Sequence, residues 1–244
     1  MDETEDNLID FKCPYCGEAV SFPEMDADSL QDCPFCAEVI LVPPASAEFG
    51  QKLPLPIQTP RLILRRLCRE DHPDLVDLMT DAELFRWLEW GPLAEEEILP
   101  WLEADEQARL TQPGKPLVLG IEISGKGTVI GWGSLKYSDE WRGDKLKRDA
   151  DIGVLINRNH HRQGYGSEAL RGILEFGFRG IHLRRITASC DSRNIAGCGV
   201  LEKAGMREEG EFLKDRNLKG EWADTSYYAL LREEYESAQP QRPQ

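Results

Sequence analysis

The sequence lacks any run of about 18 apolar residues, the minimum for a helix that crosses a bilayer, so no membrane-spanning helix and no membrane partner are expected. It also lacks a secretory signal: the start, MDETEDNLID, is acidic where such a signal is basic and then apolar. A cytoplasmic location follows as the expectation. Basic residues are scarce at the front. Residues 1–50 hold twelve Asp and Glu against Lys12 alone, a balance of −11, whereas the remainder carries 28 basic and 32 acidic groups, a balance of −4. Nucleic-acid binders gain affinity by neutralising phosphates with Lys and Arg, so no nucleic-acid partner is expected; a basic protein partner, or simple solubility, suits this front end better.

Two phosphate-binding signatures are missing as well. The chain has neither the Lys-Ser/Thr ending of a P-loop nor the three-glycine dinucleotide fingerprint, which disfavours a nucleoside triphosphatase or a dehydrogenase. No internal repeat is evident.

What the front end does contain is cysteine. Cys13 and Cys16 in KCPYCGE and Cys33 and Cys36 in DCPFCAE form C-x2-C-x16-C-x2-C, a spacing suited to a four-thiolate zinc site. Tetrahedral Zn2+ takes four soft ligands at about 2.3 Å, and each C-x2-C turn offers two. A redox CPYC, the alternative reading, follows a strand and opens a helix whose N-terminus lowers the thiol pKa. Here Gly17 follows Cys16 as a turn residue, and strand-like runs, Ala19 to Phe22 and Val39 to Val42, follow the two knuckles. The zinc ion is expected to be structural, with no open position. Cys68, Cys190 and Cys198 lie scattered among apolar neighbours and read as reduced and structural.

The organisation expected is an acidic zinc-ribbon module over 1–42, a Pro-rich linker over 43–58, a main domain over 59–236 and a disordered tail over 237–244. In the main domain RLILRRL, Arg61 to Leu67, reads as a strand, and Leu75, Val76 and Met79 mark a helix. Ile98, Trp101 and Leu102 mark a second. Leu117 to Ile123 and Val129 to Tyr137, joined by SGKG, predict a hairpin, and residues 138–149 a polar loop. Asp151 to Ile156 predicts a strand; Leu170, Ile173, Leu174, Gly177 and Phe178 define an amphipathic helix face. Arg185 to Cys190 reads as a strand, Ile195 to Ala204 as a helix ended by Gly205, and Glu209 to Leu213 and Thr225 to Leu230 as the last strands. Interleaved strands and helices give an α/β (α+β) class: a mixed sheet flanked by helices, preceded by the small ribbon.

Within DIGVLINRNHHRQGYGSEAL, Asp151 to Leu170, a strand, a loop with Gly164 and Gly166, and a helix follow one another. Such a sequence builds an anion cradle, because unpaired N–H groups and the helix dipole point into the loop and glycine lets a phosphate approach. Arg162 adds a positive charge. A pyrophosphate-bearing ligand fits, although a glycine turn at this place is also a purely structural device.

The run from Thr59 to about Tyr235 resembles a GNAT-superfamily N-acetyltransferase of the Rim type, named for ribosomal-protein N-terminal acetylation. The matching segments, in order, are TPRLILRRL at Thr59, GWGSL at Gly131, HRQGYGSEAL, RNIAGCGVLEKAGM from Arg193 and WADTSYYALLREEY from Trp222. The ribbon, on its knuckles alone, resembles small bacterial CPxCG-type modules. The main resemblance implies an acetyl-CoA-dependent enzyme acting on a primary amine, either a protein N-terminus or a small molecule. It places the pyrophosphate on the amides of Arg162, Gln163, Gly164, Tyr165, Gly166 and Ser167, the pantetheine along Val154, Leu155 and Ile156, and Asn194 against the same co-substrate, with His161 among the cofactor-binding residues where the family loop usually begins with Gln or Arg. The amine attacks the thioester directly, so the site needs positioning, an oxyanion donor and a proton route. Leu201 stands where many members carry a tyrosine acid, and Gly197 where some carry a serine. Asp151 is the candidate base, with Asp149 behind it; both also read as solvated carboxylates at a strand entrance. His160 and His161 serve as phosphate contacts or exposed residues more readily than as bases. Trp87, Glu89 and Trp90 line the acceptor side in relatives, and without that likeness the tryptophans read as core anchors. A non-catalytic acyl-CoA-binding or sensing module is the alternative function.

Overall fold

The structure, a computed structural model, describes residues 8–27, 30–47, 50–106, 116–138, 141–142, 145–146 and 149–238. At the front, β1 (Leu8–Lys12) pairs antiparallel with β2 (Ala19–Pro23), and β3 (Leu30–Asp32), β4 (Val39–Leu41) and β5 (Gln51–Lys52) form a second small sheet. Each of the two hairpins turns through a cysteine knuckle. The amide of Gly17 donates to the Cys13 carbonyl at 2.9 Å and that of Ala37 to the Cys33 carbonyl at 2.8 Å. Both turns need a left-handed residue: Gly17 has φ +81° and Ala37 φ +60°. Ile9, Phe11, Val20, Ile40 and Val42 pack with Cys13 and Cys33 into a small core. Leu30, Val39 and Leu41, by contrast, belong to the main core of the molecule.

Residues 43–58, expected as a linker, hold two short strands. Gln51 and Lys52 of β5 pair with Leu41 and Ile40, and β6 (Ile57–Gln58) pairs with β7 (Leu62–Arg65) at the edge of the main sheet. Leu53, Leu55 and Ile57 pack on the core between them.

Among the described residues the main sheet has eight strands. After β7 come β8 (Leu117–Ile123), β9 (Val129–Ser138) and, beyond the two-residue pair β10 (Trp141–Arg142) and β11 (Lys145–Leu146), β12 (Asp149–Ile156), β13 (Arg185–Asp191), β14 (Arg207–Leu218) and β15 (Glu221–Leu231). The spatial order is β14-β15-β13-β12-β9-β8-β7-β6. Part of the polar loop expected over 138–149 falls at 139–140, 143–144 and 147–148, outside the described residues.

Helices cover both faces. α1 (His72–Met79), with proline in its first turn where no amide donor is needed, and α2 (Glu95–Glu106) cover one. α3 (Tyr165–Glu175) and α4 (Ile195–Lys203) cover the other, where Leu170, Ile173 and Leu174 bury the predicted face of α3. Period-2 alternation on β12 sorts its side chains: Ala150, Ile152 and Ile156 join the α3 side and Leu155 the α1 side. A last helix, α5 (Arg232–Ala238), was not expected; it takes in the first two residues of the anticipated tail, and 239–244 lie outside the described residues. Among the described residues no helix is long and apolar enough to cross a membrane.

Candidate active site and metal centre

Strands β12 and β13 run parallel, joined through α3, but they pair only at Asp149–Arg185, Ala150–Ile186 and Asp151–Thr187. Beyond that point β12 stays paired with β9 as far as Ile156–Gly131, and β13 with β15 as far as Asp191–Thr225. The sheet therefore opens along a seam in its middle, and Ile152 to Ile156 present one backbone edge to the opening. Of the predicted pantetheine contacts, Val154, Leu155 and Ile156 lie along this edge.

The chain leaving β12 turns at Asn157, whose side chain accepts from the amide of Asn159 at 2.9 Å. His161 is not a free ligand group: its Nε2 donates to the Ile156 carbonyl at 2.7 Å, fastening the loop to the end of the strand. Arg162 is left-handed at φ +59° and exposed, as are Gln163 and Gly164. Gly164, φ +82°, is the N-cap of α3 and supplies no side-chain acceptor. The first intrahelical bond runs from the Glu168 amide to the Gly164 carbonyl at 3.0 Å, so the amides of Tyr165, Gly166 and Ser167 precede it at the positive end of the helix. Gly166 is informative by its surroundings. A Cβ there would meet Val200 and Ile156 side chains at 3.6 and 3.7 Å, ordinary contact, so packing within the protein does not demand glycine.

Sequence reasoning missed what holds this loop. Glu168, buried at 7 % exposure, accepts from Thr59 Oγ1 at 2.7 Å and the Arg61 amide at 2.8 Å with Oε1, and from Arg61 Nε at 2.7 Å and Nη2 at 2.6 Å with Oε2. Arg61 also donates to the Gln163 carbonyl at 3.0 Å and covers the Tyr165 ring at 4.5 Å. Burial pushes the Glu168 carboxyl up, but the hydrogen bonds from Thr59 and Arg61 and the Arg61 charge outweigh it and hold it below the usual range. Nothing in local periodicity marks a partner more than a hundred positions away.

Asn194 is the N-cap of α4, its Oδ1 accepting from the Gly197 amide at 3.0 Å. A Cβ on Gly197 would stand 2.6 Å from Asn194 Nδ2 and 2.8 Å from Cys190 Sγ, which leaves no room for a serine. Leu201 is buried in the main core. The structure thus assigns no acid at either position.

Asp151 lies on the α1 face of β12, where the parallel pairing ends, and accepts from Thr187 Oγ1 at 3.3 Å. Water reaches the side chain, yet protein atoms crowd around it. That crowding is the larger influence on its proton, because low-polarity surroundings act beyond direct contact. Burial raises its pKa; the Thr187 hydrogen bond and the Arg216 and Lys136 charges only partly offset the rise. Asp149 is paired with Arg184 at 2.9 Å. Trp87 is half-buried beneath Arg86, Trp90 is exposed, and Glu89 pairs with Arg216 at 3.1 Å.

The four front cysteines converge. Their sulfurs all lie within 4.8 Å of one another, with Cys13–Cys36 at 3.7 Å and Cys16–Cys33 at 3.8 Å. A tetrahedron with metal–sulfur bonds of about 2.3 Å has edges of about 3.8 Å, so the set fits a zinc ion. Burial opposes ionisation of Cys33, but amide hydrogen bonds from Cys36 and Phe35, with neighbouring thiols, draw it down to about 7. The Tyr15 amide donates to Cys13 Sγ at 3.4 Å, a further stabiliser of negative sulfur.

A family model described as an acetyltransferase (GNAT) domain matches residues 61–207, more than half of the chain. The uncharacterized N-acetyltransferase YnaD of Bacillus subtilis is 31% identical over 179 residues, covering 73% of this chain and 98% of that protein. A GNAT-family acetyltransferase of Bacillus anthracis is similar in structure, with TM-score 0.63 and 27% identity over 72% of this chain and 98% of the other. The spermidine N-acetyltransferase of Vibrio cholerae, solved with CoA and spermine, shares the fold at TM-score 0.61 and 18% identity, over 72% and 99% of the two chains.

Proposed function

Since the chain belongs to the GNAT acetyltransferase family and is an acetyltransferase, we propose that it transfers the acetyl group of acetyl-CoA to a primary amine by direct attack, on a protein N-terminus or a small molecule. The observation that carries the reading is the open seam between β12 and β13, leading to the uncapped N-terminus of α3. An extended pantetheine can pair with the edge from Ile152 to Ile156 as an added strand does. The amides from Arg162 to Ser167 can take the pyrophosphate, and the spacing at Gly166 supports this, since a ligand gives the glycine a reason that packing does not. Asn194 keeps its amide nitrogen for the co-substrate while its oxygen caps α4. His161 serves by fastening the loop, a role different from direct contact.

An attacking amine must lose a proton. Asp151, on the acceptor face and with a raised pKa, is the base we assign. A backbone N–H of the β12 edge stabilises the oxyanion, and with Leu201 and Gly197 unable to act as acids the departing thiolate takes its proton from water. Zn2+ on Cys13, Cys16, Cys33 and Cys36 is structural: four protein ligands leave no position for substrate. We read residues 1–42 as the zinc module, the next sixteen as its connection, and 59–236 as the catalytic domain.

Calorimetric titration of acetyl-CoA, and chromatographic detection of CoA released with an amine panel, test the reading. Binding that disappears in Gly164→Glu, with turnover on at least one amine, is expected. No acetyl-CoA binding at high micromolar concentration overturns it; binding without turnover across the panel makes the protein a sensing module.

A further inference from the structure

Three of the six tryptophans meet at one cavity. Trp90, Trp101, Pro116, Val118, Trp132 and Ser134 line a space of about 270 Å³ on the α1 face of the sheet. We infer that this cavity receives the apolar part of the acceptor, so that the substrate is an amine bearing an aromatic or similarly flat apolar group. This deepens the acetyltransferase reading and rests on it.

The strand register places the cavity beside the proposed reaction centre. On β9, Trp132, Ser134 and Lys136 follow one another on one face, and their partners on β12 are Leu155, Gly153 and Asp151. Ser134, at the cavity wall, is so close to Gly153 that a Cβ there would lie 3.3 Å from its Oγ. Gly153 lies on the edge that faces the seam, and Asp151 is two residues along, about 7 Å at strand rise. A ring in the cavity thus needs only a short carbon arm to bring its amine to Asp151.

The lining sets the chemistry. No carboxylate is among the six lining residues, so among the described residues of the wall the second ammonium of a polyamine finds no counter-charge. An apolar cavity of about 150 Å³ is enough for benzene, so the space here admits a phenyl or indole group. Trp90 stacks on Trp132 with centroids 5.9 Å apart and stays 40 % exposed, an aromatic wall not consumed by the core. Trp132 is only 8 % exposed and, among the described residues, its Nε1–H has no hydrogen-bond partner. The face of an aromatic ring can receive such an N–H, which an aliphatic chain cannot.

The test uses the full chain. With saturating acetyl-CoA, CoA release is compared for 2-phenylethylamine, tryptamine, ethylamine and spermidine. Binding of 2-phenylethylamine is read separately from quenching of tryptophan fluorescence, and acetyl-CoA affinity by calorimetry, in wild type and Trp101→Ala. Expected are a kcat/KM at least about tenfold higher for the two aromatic amines, an advantage that falls to below about threefold in Trp101→Ala, and an unchanged acetyl-CoA affinity, a tenfold ratio being about 1.4 kcal/mol. Equal or better use of spermidine, or aromatic preference and quenching untouched by Trp101→Ala, overturns the inference while leaving the acetyltransferase reading intact. Absence of acetyl-CoA binding overturns that reading instead, and the quenching arm still decides whether the cavity takes an aromatic amine. Should Trp101→Ala lose its acetyl-CoA affinity, Trp90→Ala, at the exposed wall of the same cavity, is compared by the same 2-phenylethylamine quenching titration; an unaltered affinity for 2-phenylethylamine counts against the cavity.

Discussion

Replacing Glu168 by Gln keeps the shape of the side chain and removes half of its purpose. The oxygen that accepts from Thr59 and the Arg61 amide survives, but an amide NH2 now meets Arg61 Nε and Nη2, donor against donor, where bonds of 2.7 and 2.6 Å stood. A hydrogen bond to a charged group contributes about 1.5–3 kcal/mol, and two are lost. Arg61 is 47 % exposed, so water and screening return part of this, leaving a net cost of about 2 kcal/mol. For a unit of this size that lowers Tm by about 4–8 °C. The pH dependence is the sharper test. The folded pKa of Glu168 is depressed, so its contribution is fully present above the unfolded value of about 4.3 and is lost as pH falls through the folded value below it. The wild-type advantage over Glu168→Gln should therefore be constant from pH 7 to about 5.5 and close at lower pH. Arg61 also holds the Gln163 carbonyl, so acetyl-CoA should bind up to about tenfold more weakly, the equivalent of about 1.4 kcal/mol of lost preorganisation. Melting by circular dichroism and calorimetric titration read both effects. A Tm within about 1 °C of wild type at pH 7, or a gap that persists unchanged at low pH, would refute the clamp.

Asp151→Asn should remove the acidic limb of the kcat profile and leave acetyl-CoA affinity unchanged. Because a raised carboxylate pKa makes stability fall as pH rises through the unfolded and then the folded value, this variant should melt no lower than wild type at pH 7; a lower Tm with an unchanged profile counts against the base. Elemental analysis should find one zinc per chain, and acidification or a strong chelator should release it with loss of ordered structure in the ribbon, since the ligands must be thiolates; a metal-free protein with the same spectrum would sink the assignment. Ala37→Gly should stabilise the second knuckle by about 0.5–1 kcal/mol, because φ +60° strains any residue with a Cβ, and a Tm below wild type would contradict that.

Local pattern made much of this legible. The paired C-x2-C turns, the apolar runs of β8 and β9 on either side of SGKG, the amphipathic face of α3 and the glycine loop are all short-range signals, and each lies where it was expected. What escaped is long-range or disguised. The strands read as Glu209 to Leu213 and Thr225 to Leu230 extend over Arg207–Leu218 and Glu221–Leu231. Their outer stretch is exposed and charged, so apolar alternation fades; the remaining signal was Lys219–Gly220, left-handed at φ +52° and +99°, a two-residue hairpin turn. Prolines around residues 43–58 disguised the short strands β5 and β6, which are too brief for periodicity to register. The clamp of Arg61 on Glu168 and the meeting of Trp90, Trp101 and Trp132 exist only once the sheet has brought distant strands and helices together.

Leu30, Val39 and Leu41 point away from the cysteines and share the core that supports α3. The small ribbon is then no cassette to be cut off or grafted onto another protein. Removing it would strip three apolar side chains from the interior of its neighbour, so the front and the body should melt together in one transition. Exchange between related proteins would have to carry both halves of that shared interior at once.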